Sequence, residues 1–375
     1  MKKVLLVGSM ASMLANFNKN NLEILLQLGC EVDVVANFSY EDPISTEKKR
    51  KFTDFLDENY ISYYQVPFPR GIGNFKRNLK ILSQLNRIFK EKSYDLIHTN
   101  SPLASVLVRV VAKKFKIPVL YTVHGFQFYQ GAAKKDWLIF YSVERLLSTL
   151  TTAVITINQE DYMRAQRMGY RNVIYIPGVG INLSKFNNSL EQNSRNKDSK
   201  YIVTSVGELN NNKNQLCVLK AIKKSKIKDQ LQYMICGVGE NHEIYKDFIE
   251  KNNLENNVTL LGYREDIKDI LSNSDAFVFP SFREGLSVSV MEAMACGKPV
   301  FASNIRGNVD LIDQGKGGEL FDPNDSVMLS KLFDNVLPNS SLLSQYGIYN
   351  KKKIIQFSQN NVDEKMEKVY EKLLF

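Results

Sequence analysis

The sequence predicts an α/β protein built from two consecutive doubly wound domains. Three observations support this class: the chain has 375 residues, strand-like runs alternate with helical stretches along its length, and the pattern begins again after Pro177. Such alternation calls for parallel sheets with helices on both faces, and domains of about 100–200 residues fit the length twice. We expect a first domain over residues 1–180 and a second domain over residues 181–357, followed by a terminal segment of about 358–375.

The first series opens with the apolar run Val4–Val7, followed by the apolar spacing of a helix over Leu22–Leu28 that Gly29 ends. Further strands are predicted at Glu31–Ala36, Ser62–Val66, Tyr94–Ile97, Ile117–Val123, Ala153–Ile157 and Asn172–Ile176. Helices are expected between them, including Asn78–Lys90 and Trp137–Leu150. We interpret the amphipathic stretch 75–89 as a core helix, with a membrane-surface helix as the alternative. Its apolar side consists of Leu79, Leu82, Leu85 and Phe89.

The second series has the same pattern after a break. Pro177-Gly178-Val179-Gly180 interrupts regular structure, and the polar segment 187–199 is expected to be an exposed connector. Strands are then predicted at Tyr201–Val206, Leu231–Cys236, Val258–Leu261, Ala276–Phe279 and Pro299–Ala302. At the end of the chain, residues 360–375 should form a helix. Apolar residues recur there at spacings of three and four, as Val362, Met366, Val369, Tyr370 and Leu373.

Composition excludes several classes of protein. With 44% hydrophobic and 24% charged residues, the chain is neither disordered nor of low complexity. Its four cysteines lie far apart without a CxxC pair, which excludes a disulfide scaffold and a cysteine-built zinc site. The first apolar run is too short for a signal peptide, and the longest uncharged stretch, residues 117–133, contains Pro, His and Gly. We expect a cytoplasmic protein.

Positive charge is concentrated in the first half of the chain. Residues 1–185 carry 25 Lys and Arg against 15 Asp and Glu, whereas residues 186–375 carry 24 against 25. This asymmetry is consistent with a plain solvated surface or with a first domain that meets an anionic membrane, nucleic acid or phosphorylated ligand.

The densest group of candidate functional residues lies in residues 280–307. Glu284 sits in the loop after the strand Ala276–Phe279, and Glu292 is the only charged residue in the apolar helix predicted at Leu286–Cys296. A carboxylate on a buried helix needs hydrogen-bond donors, and a pair of sugar hydroxyls would supply them. The free N–H groups at the helix start suit a phosphate. The alternative is that Glu292 pairs with a structural Arg and Glu284 caps the helix.

Three further loops carry residues of interest at the ends of predicted strands. Lys213 follows the first strand of the second domain and precedes a helix from about Gln215, where it could meet a phosphate. His124 follows the strand Ile117–Val123, and His98 is similarly placed after Tyr94–Ile97. Each residue taken alone could also be merely solvated or structural.

Taken together, these segments resemble family 4 of the retaining glycosyltransferases along nearly the full chain. The strongest match is 275–310, ADAFVFPSFREGLSVSVMEAMACGKPVFASNIRGNVD, with the family's E-x7-E pattern as Glu284 and Glu292. Segments 236–240, 262–267 and 176–180 also match, and YTVHGFQFY resembles exopolysaccharide and capsule transferases of bacteria. The resemblance implies the GT-B fold, in which two Rossmann-like domains face a cleft and a C-terminal helix crosses back to the first domain.

The resemblance also implies roles for individual residues. Glu292 would bind the ribose hydroxyls of a nucleotide sugar, and Glu284 the hydroxyls of the donated sugar. Lys213 would neutralise the diphosphate, and His124 would reach the sugar from the first domain. The expected catalytic residues are Lys213, His124 and Glu284. The other expected nucleotide-sugar contacts are Gly207, Tyr263, Arg264, Gly285, Leu286 and Ser287. On the acceptor side we expect His98 and Arg70.

Two features depart from the family pattern. Glu208 stands where most members have an Arg that helps to hold the diphosphate, so either Arg283 or Arg306 takes over that charge, or Lys213 and the helix start suffice. The Gly-rich turn often found after the first strand is reduced to Gly8.

The chain has no D-x-D, which suggests that no essential metal and no cofactor beyond the donor are needed. From the resemblance we expect attack on the same face of the sugar, with the leaving phosphate taking the acceptor's proton.

The expected acceptor is a lipid-linked saccharide, and the expected place of work is the inner face of the cell membrane, where the basic first half would meet anionic lipid. Two alternatives stay open from the sequence. A nucleotide-sugar epimerase can share this architecture, although it needs acid/base pairs and His124 is the only prominent candidate. A non-enzymatic basic binding protein is the other, but the near-neutral second half and the lack of an aromatic-basic motif argue against nucleic acid.

Overall fold

The computed structural model describes residues 1–39, 43–69, 71–186 and 200–375. The chain divides into two compact units, unit 1 with Met1–Gly180 and Asn360–Phe375, and unit 2 with Ile181–Gln359. The predicted connector 187–199 and the expected acceptor residue Arg70 lie outside the described residues.

Unit 1 contains a parallel sheet of seven strands in the order β3-β2-β1-β4-β5-β6-β7. Its strands are β1 Lys3–Met10, β2 Glu31–Asn37, β3 Ser62–Gln65, β4 Leu96–Thr99, β5 Val119–Val123, β6 Ala153–Thr156 and β7 Val173–Tyr175. Its helices before the second unit are α1 Ala11–Phe17, α2 Lys19–Gln27, α3 Pro43–Glu58, α4 Phe75–Glu91, α5 Pro102–Phe115, α6 Lys134–Asp136, α7 Ser142–Leu147 and α8 Gln159–Gln166. A π-helical turn, Trp137–Tyr141, joins α6 to α7.

Unit 2 contains a parallel sheet of six strands in the order β10-β9-β8-β11-β12-β13. Its strands are β8 Tyr201–Val206, β9 Leu231–Cys236, β10 Val258–Gly262, β11 Ala276–Phe279, β12 Val300–Ser303 and β13 Gly318–Phe321. Its helices are α9 Gln215–Lys224, α10 His242–Lys251, α11 Ile267–Ser272, α12 Val288–Ala295, α13 Asn308–Leu311, α14 Ser326–Val336 and α15 Ser340–Lys353, and the last helix of the chain is α16 Gln359–Leu374. The predicted class of two doubly wound, Rossmann-like sheets is confirmed, with β13 as a strand that the sequence pattern missed.

Both faces of the first sheet are buried, as the continuous apolar runs of its strands require. Along β1, Val4 and Leu6 belong to one hydrophobic cluster, whereas Leu5 and Val7 belong to another, and none of the four side chains is exposed. Successive side chains of a strand point to opposite faces, so the two clusters lie on opposite sides of the sheet. Full burial of such a side chain contributes about 1.5–3 kcal/mol.

The C-terminal helix α16 packs in unit 1, although it follows unit 2 in the chain. Its apolar stripe, including Val362, Met366 and Tyr370, joins the same buried cluster as Val4 and Leu6. The predicted return of the C-terminal helix to the first domain is therefore confirmed.

The strand β4 begins two residues later than predicted, and this changes the environment of His98. Asp95 is held in the preceding turn, where its carboxylate accepts a hydrogen bond from the Lys3 N–H at 2.8 Å. The strand therefore starts at Leu96, and His98 lies inside it instead of after it. His98 is fully buried.

Helix α4 covers the predicted amphipathic stretch and packs as a core helix. Its buried residues are Ile81, Leu85, Ile88 and Phe89. The expected apolar side was partly wrong, because Leu79 is 49% exposed, while Ile81 faces the core. No helix within the described parts of the chain has the length and apolarity needed to span a bilayer.

Candidate functional site

Four loops of unit 2 bring the predicted residues to one edge of its sheet. Along the strand order β10-β9-β8-β11, Tyr263 follows β10, Gly237 follows β9, Lys213 lies in the loop after β8, and Glu284 lies in the loop after β11. The carboxyl ends of parallel strands meet at a common edge, where doubly wound sheets bind their ligands. The topology therefore collects these separate segments into one candidate site.

The loops after β8 and β9 are joined through their backbones. The N–H of Gly207 donates to the Cys236 carbonyl at 3.0 Å, and the N–H of Leu209 donates to the Val238 carbonyl at 3.0 Å. A Cβ at Gly237 would lie 1.9 Å from the Gly207 carbonyl oxygen, so only glycine permits this close approach. The CGVGE segment thus supports the loop that carries Lys213.

The ammonium of Lys213 and the carboxylate of Glu284 form an ion pair. The Nζ–Oε1 distance is 2.7 Å, and the side chains are 22% and 15% exposed. Lys213 Nζ also lies 4.9 Å from the centre of the Phe279 ring at the end of β11. The pair holds a positive and a negative group together at the carboxyl edge of the sheet.

Asparagine side chains join the same two loops on either side of this pair. Asn212 Nδ2 donates to the Arg283 carbonyl at 3.0 Å, and the Phe282 N–H donates to the Asn212 carbonyl at 2.8 Å. Asn214 Nδ2 donates to the carbonyls of Pro280 and Pro323 at 3.1 and 2.8 Å. The position of Lys213 is therefore set by a network of neighbouring hydrogen bonds.

Helix α12 begins at Val288, two residues later than the predicted Leu286, and Glu284 lies in the loop before it. Ser287 is its N-cap and accepts a hydrogen bond from the Val290 N–H at 3.4 Å. Gly285, Leu286 and Ser287 precede the first turn, where N–H groups and the helix dipole favour an anion.

Gly307 lies against this turn. It has φ of +83°, and a Cβ there would lie 2.3 Å from the Gly285 carbonyl oxygen. Glycine is therefore required at this contact, which supports the backbone that leads into α12.

Glu292 lies on α12 with a half-buried side chain. Within the described residues its carboxylate has no hydrogen-bond or ion-pair partner, so the pairing with a structural Arg that the sequence left open is not found. Burial raises its pKa above the ordinary value, while the charge of Lys185 acts in the opposite direction. A carboxylate kept in this state is suited to accept hydrogen bonds from a hydroxylated ligand.

Tyr263 and Arg264 follow β10, which is an edge strand of the second sheet. Tyr263 is 47% exposed. The Arg264 guanidinium is engaged with the Asp266 carboxylate, with an Nε–Oδ1 distance of 2.7 Å. This contact raises the pKa of Arg264 and lowers the pKa of Asp266. An aromatic ring is thus available here, whereas the guanidinium already has a carboxylate partner.

The sequence left open whether Arg283 or Arg306 supplies a second positive charge at the candidate site. The Arg306 side chain is buried, and its Nε donates to the Glu284 carbonyl at 3.0 Å. Glu208 points elsewhere, because its carboxylate accepts a hydrogen bond from Asn210 at 3.0 Å. Arg283 is exposed. Of the two arginines considered, Arg306 therefore contacts the backbone of the candidate site.

In unit 1, His124 and His98 have different surroundings. His124 follows β5 and is half-buried, its Nε2 has no hydrogen-bond partner, and burial lowers its pKa to about 4. His98 bonds Tyr370 Oη at 2.7 Å through Nδ1 and Thr122 Oγ1 at 2.8 Å through Nε2. Both ring nitrogens of His98 are occupied inside the core, so the expectation that it contacts an acceptor has no support.

Neither a metal-binding cluster nor a disulfide is formed by the described residues. No three His, Cys, Asp or Glu side chains among them come together as a potential metal site. The four cysteines are all buried and unpaired.

Two family models together cover most of the chain. Residues 19–178 match the glycosyl transferase 4-like domain, and residues 187–353 match the glycosyl transferases group 1. These ranges contain His124, Lys213, Glu284 and Glu292.

Individual proteins are similar over comparable lengths. The chain is 30% identical to the glycosyltransferase EpsD of Bacillus subtilis (strain 168) over 384 residues, covering 98% of this chain and 96% of that protein. It is 29% identical over 309 residues to the Escherichia coli UDP-Gal:α-D-GlcNAc-diphosphoundecaprenol α-1,3-galactosyltransferase, covering 79% of each. It is 23% identical over 334 residues to CapM, a capsular polysaccharide biosynthesis glycosyltransferase of Staphylococcus aureus, covering 84% of this chain and 86% of CapM.

A solved structure has the same fold. The crystal structure of Anabaena HepE in complex with UDP matches 99% of this chain and 100% of its own with a TM-score of 0.76 at 18% identity. Sequence, family models and fold agree, and the epimerase and non-enzymatic alternatives are set aside. The chain belongs to the family 4 glycosyltransferases of the GT-B fold, and it is a glycosyltransferase of polysaccharide synthesis.

Proposed function

We propose that this glycosyltransferase moves a hexosyl or N-acetylhexosaminyl group from a uridine diphosphate sugar to a saccharide carried on a polyprenyl diphosphate, with retention of the anomeric configuration. The observation that carries the proposal is the ion pair of Lys213 and Glu284 at the carboxyl edge of the second sheet, followed in the chain by Glu292 on helix α12. Together they offer an unpartnered carboxylate for a diol, a cation for a diphosphate, and a second carboxylate for sugar hydroxyls.

The donor would be held by groups of different chemistry in this part of unit 2. Glu292 accepts from the ribose hydroxyls, and Tyr263 and Arg264 lie near the base. Backbone N–H groups of residues 285–287 meet the diphosphate at the start of α12, where the helix dipole favours negative charge. The uridine base enters the proposal from the UDP bound to Anabaena HepE.

The main electrostatic contribution would be stabilisation of the leaving nucleoside diphosphate. Lys213 is 2.7 Å from Glu284 in this structure, so it can share its positive charge between that carboxylate and an incoming diphosphate. Arg306 adds a buried positive charge behind the same loop. We propose that these groups suffice without a metal, and that the leaving phosphate oxygen takes the acceptor's proton while the new bond forms on the same face.

His124 is proposed as the contribution of unit 1 to transfer. With a pKa of about 4, its imidazole is neutral near pH 7. Its Nε2 is unpartnered, so it can hydrogen-bond a sugar hydroxyl without bringing a charge to the reaction.

A lipid-linked acceptor is supported by the name of the Escherichia coli relative, whose acceptor is GlcNAc-diphosphoundecaprenol. It also agrees with the exposed side of α4. Lys76, Lys80, Arg87 and Lys90 recur there at helical spacing, all exposed. Phe75 is 77% exposed at the start of the same helix. Basic and apolar groups of this kind suit an anionic membrane surface, and we propose peripheral binding at the inner face of the cell membrane.

The test is transfer with defined substrates. The purified protein is incubated with UDP-glucose, UDP-galactose, UDP-GlcNAc or UDP-GalNAc and a short-chain polyprenyl diphosphate carrying GlcNAc. We expect one donor to lengthen the lipid by one sugar in mass spectrometry, an α-linkage in proton NMR, and no loss of rate with EDTA. The donor alone is the control, because conversion without acceptor would indicate an epimerase. No transfer from any donor, although UDP binds, would contradict the proposed acceptor class.

A further inference from the structure

Asn214 directly follows Lys213 and has a left-handed backbone conformation, with φ of +55° and ψ of +34°. Residues other than glycine rarely adopt this region, because the Cβ comes too close to the following carbonyl oxygen. In the described parts of the chain, four such residues have positive φ: Tyr60, Lys116, Asn214 and Asn253. A strained backbone next to a functional group requires an explanation.

Its place in the fold separates Asn214 from the other three residues. Tyr60, Lys116 and Asn253 lie just after the ends of α3, α5 and α10, where a left-handed residue is a common way to end a helix. Asn214 instead precedes helix α9 as its N-cap, a position at which the backbone is usually extended. Helix termination therefore explains the other three conformations but not that of Asn214.

The side chain of Asn214 does not cap the helix that it precedes. Its Nδ2 donates to the Pro280 carbonyl at 3.1 Å and to the Pro323 carbonyl at 2.8 Å. Pro280 lies after β11, and Pro323 lies after β13. The amide thus holds Asn214 against two other loops of unit 2, instead of stabilising the start of α9.

Lys213 has a defined course from its backbone to its ammonium group. Its N–H donates to Asn210 Oδ1 at 2.9 Å, and the Asn214 N–H donates to the Asn210 carbonyl at 3.3 Å. The lysine stem then passes Gly207, where a Cβ would lie 3.4 Å from the Cδ and Cε atoms of Lys213. Nζ ends at the Glu284 carboxylate. The residues on both sides of Lys213 are therefore fixed.

The backbone of Asn214 determines the direction of this course. Lys213 precedes Asn214, so a rotation about the Asn214 backbone turns the whole of Lys213 relative to α9. A change of φ from +55° to the right-handed helical value of about −63° would make Asn214 a further residue of the helix. Lys213 would then point away from its present path past Gly207, and its flexible stem could compensate for only part of the rotation.

We propose that Asn214 is a positioning residue, whose left-handed backbone directs Lys213 toward Glu284 and the donor diphosphate, and whose amide holds that conformation through the two proline carbonyls. Asn214 acts through Lys213 and does not itself touch the substrate. Asparagine suits both tasks, because it tolerates the left-handed region and its amide carries two donors. The inference rests on the proposed function, which assigns Lys213 to the leaving diphosphate.

Two substitutions separate the backbone from the amide. Asn214→Gly loses the amide but has free access to the left-handed region, whereas Asn214→Ala loses both. We expect Asn214→Ala to lower kcat by about 10²-fold, as for a misplaced catalytic group, and Asn214→Gly to lose clearly less. A kcat of the glycine variant as low as that of the alanine variant would overturn the role of the backbone.

Asn253→Ala is the matched control. Asn253 is also an asparagine of unit 2 with φ of +51°, but it lies in the exposed turn after α10. The same substitution introduces the same backbone strain there, so it should lower the unfolding temperature without changing kcat. Equal losses of kcat in Asn253→Ala and Asn214→Ala would assign the effect to general stability and overturn the positioning role.

A double-variant cycle tests whether Asn214 acts through Lys213. Asn214→Ala should lower kcat and raise the Kd for UDP in the wild-type chain, but should change neither in Lys213→Ala, which has no ammonium to position. Isothermal titration with UDP needs no acceptor, so this measurement stays valid if the proposed acceptor class is wrong. Equal effects in both backgrounds would mean that Asn214 merely stabilises the loop, and would overturn the proposal.

The crystal structure of Asn214→Ala provides a measurement that does not depend on the reaction. We expect Lys213 Nζ to lie more than about 4 Å from Glu284 Oε1, beyond ion-pair distance. If this displacement occurs although Lys213→Ala has normal kinetics and normal UDP binding, the function proposed for Lys213 is wrong and the positioning role stands. An ion pair retained at 2.7 Å in Asn214→Ala overturns the positioning role, whatever the kinetics.

Discussion

Lys213 and Glu284 are 71 residues apart in the sequence, yet Lys213 Nζ lies 2.7 Å from Glu284 Oε1. The loops after β8 and β11 are neighbours because these strands are paired in the sheet. The contact makes the two predicted catalytic groups one unit, so neither charge acts independently of the other.

We expect Lys213→Ala to lower kcat by about 10²–10³-fold, the usual effect of removing one group that stabilises a developing charge. The unfolding temperature should change little, because the ion pair is partly exposed. Lys220→Ala on the outer face of α9 is the control and should leave kcat unchanged. Steady-state kinetics with the preferred donor measures the effect, and an unchanged kcat would remove Lys213 from catalysis.

The coupling between the two residues can be measured with Glu284→Gln and the double variant. Groups in direct contact give non-additive effects. The double variant should therefore lose less activity than the product of the two single losses. Strict additivity would show that the ion pair is not maintained during the reaction.

We expect Glu292→Gln to weaken UDP binding at least tenfold. The hydroxyls of the ribose would lose a charged acceptor, and hydrogen bonds to charged groups contribute about 1.5–3 kcal/mol. Isothermal titration with UDP measures the change. Equal affinity in the variant would exclude a ribose contact.

The same variant should be more stable than wild type at neutral pH. Burial raises the pKa of Glu292 above its ordinary 4.5, so the folded state binds this proton more tightly than the unfolded state. Ionisation then costs stability as the pH rises from the ordinary value. The gain in unfolding temperature of Glu292→Gln should be present at pH 7 and disappear below about pH 4. A variant that is less stable at pH 7 would indicate a structural partner for the carboxylate.

We expect Arg306→Lys to weaken UDP binding about tenfold, although the positive charge is kept. A lysine ammonium cannot reproduce the fixed N–H directions of a guanidinium. The bond from Nε to the Glu284 carbonyl, 3.0 Å long, would be lost and the loop before α12 would shift. Arg171→Lys, at an exposed position of unit 1, is the control. Wild-type affinity in Arg306→Lys would mean that the loop does not depend on this bond.

We expect Lys76→Gln combined with Lys80→Gln to reduce binding to anionic vesicles about 25-fold at low salt, on a basis of about 1 kcal/mol for each basic residue near the surface. Lys220→Gln with Lys331→Gln removes the same charge from exposed helices of unit 2 and should have little effect. Vesicle sedimentation at low and high salt measures both. Salt-independent binding, or equal loss in the control, would contradict a role for α4.

We expect Tyr370→Phe to destabilise unit 1 by about 1–3 kcal/mol, because the Nδ1 of buried His98 would lose its partner at 2.7 Å. Removing residues 360–375 should have a larger effect, since α16 covers part of the core of that unit. Thermal and urea unfolding measure these losses. A truncated chain with full stability and activity would show that the returning helix is dispensable.

Periodicity along the chain was sufficient to predict most strands of both sheets and the C-terminal helix, whereas the return of that helix to unit 1 was predicted from the family resemblance. Strands such as Tyr201–Val206, Leu231–Cys236 and Ala276–Phe279 have the predicted bounds, because short, mostly apolar runs between polar loops allow few other structures. The spacing of Glu284 and Glu292 likewise identified the loop and helix that carry them. These features depend on residues that are close in sequence.

Contacts between distant segments were not predictable in the same way. No sequence pattern indicated that His98 would lie inside β4 or that Arg306 would reach the Glu284 carbonyl. Each depends on which strands become neighbours and on the register between them. Only the tertiary structure sets these distances, because the packing of whole elements decides which polar groups find partners.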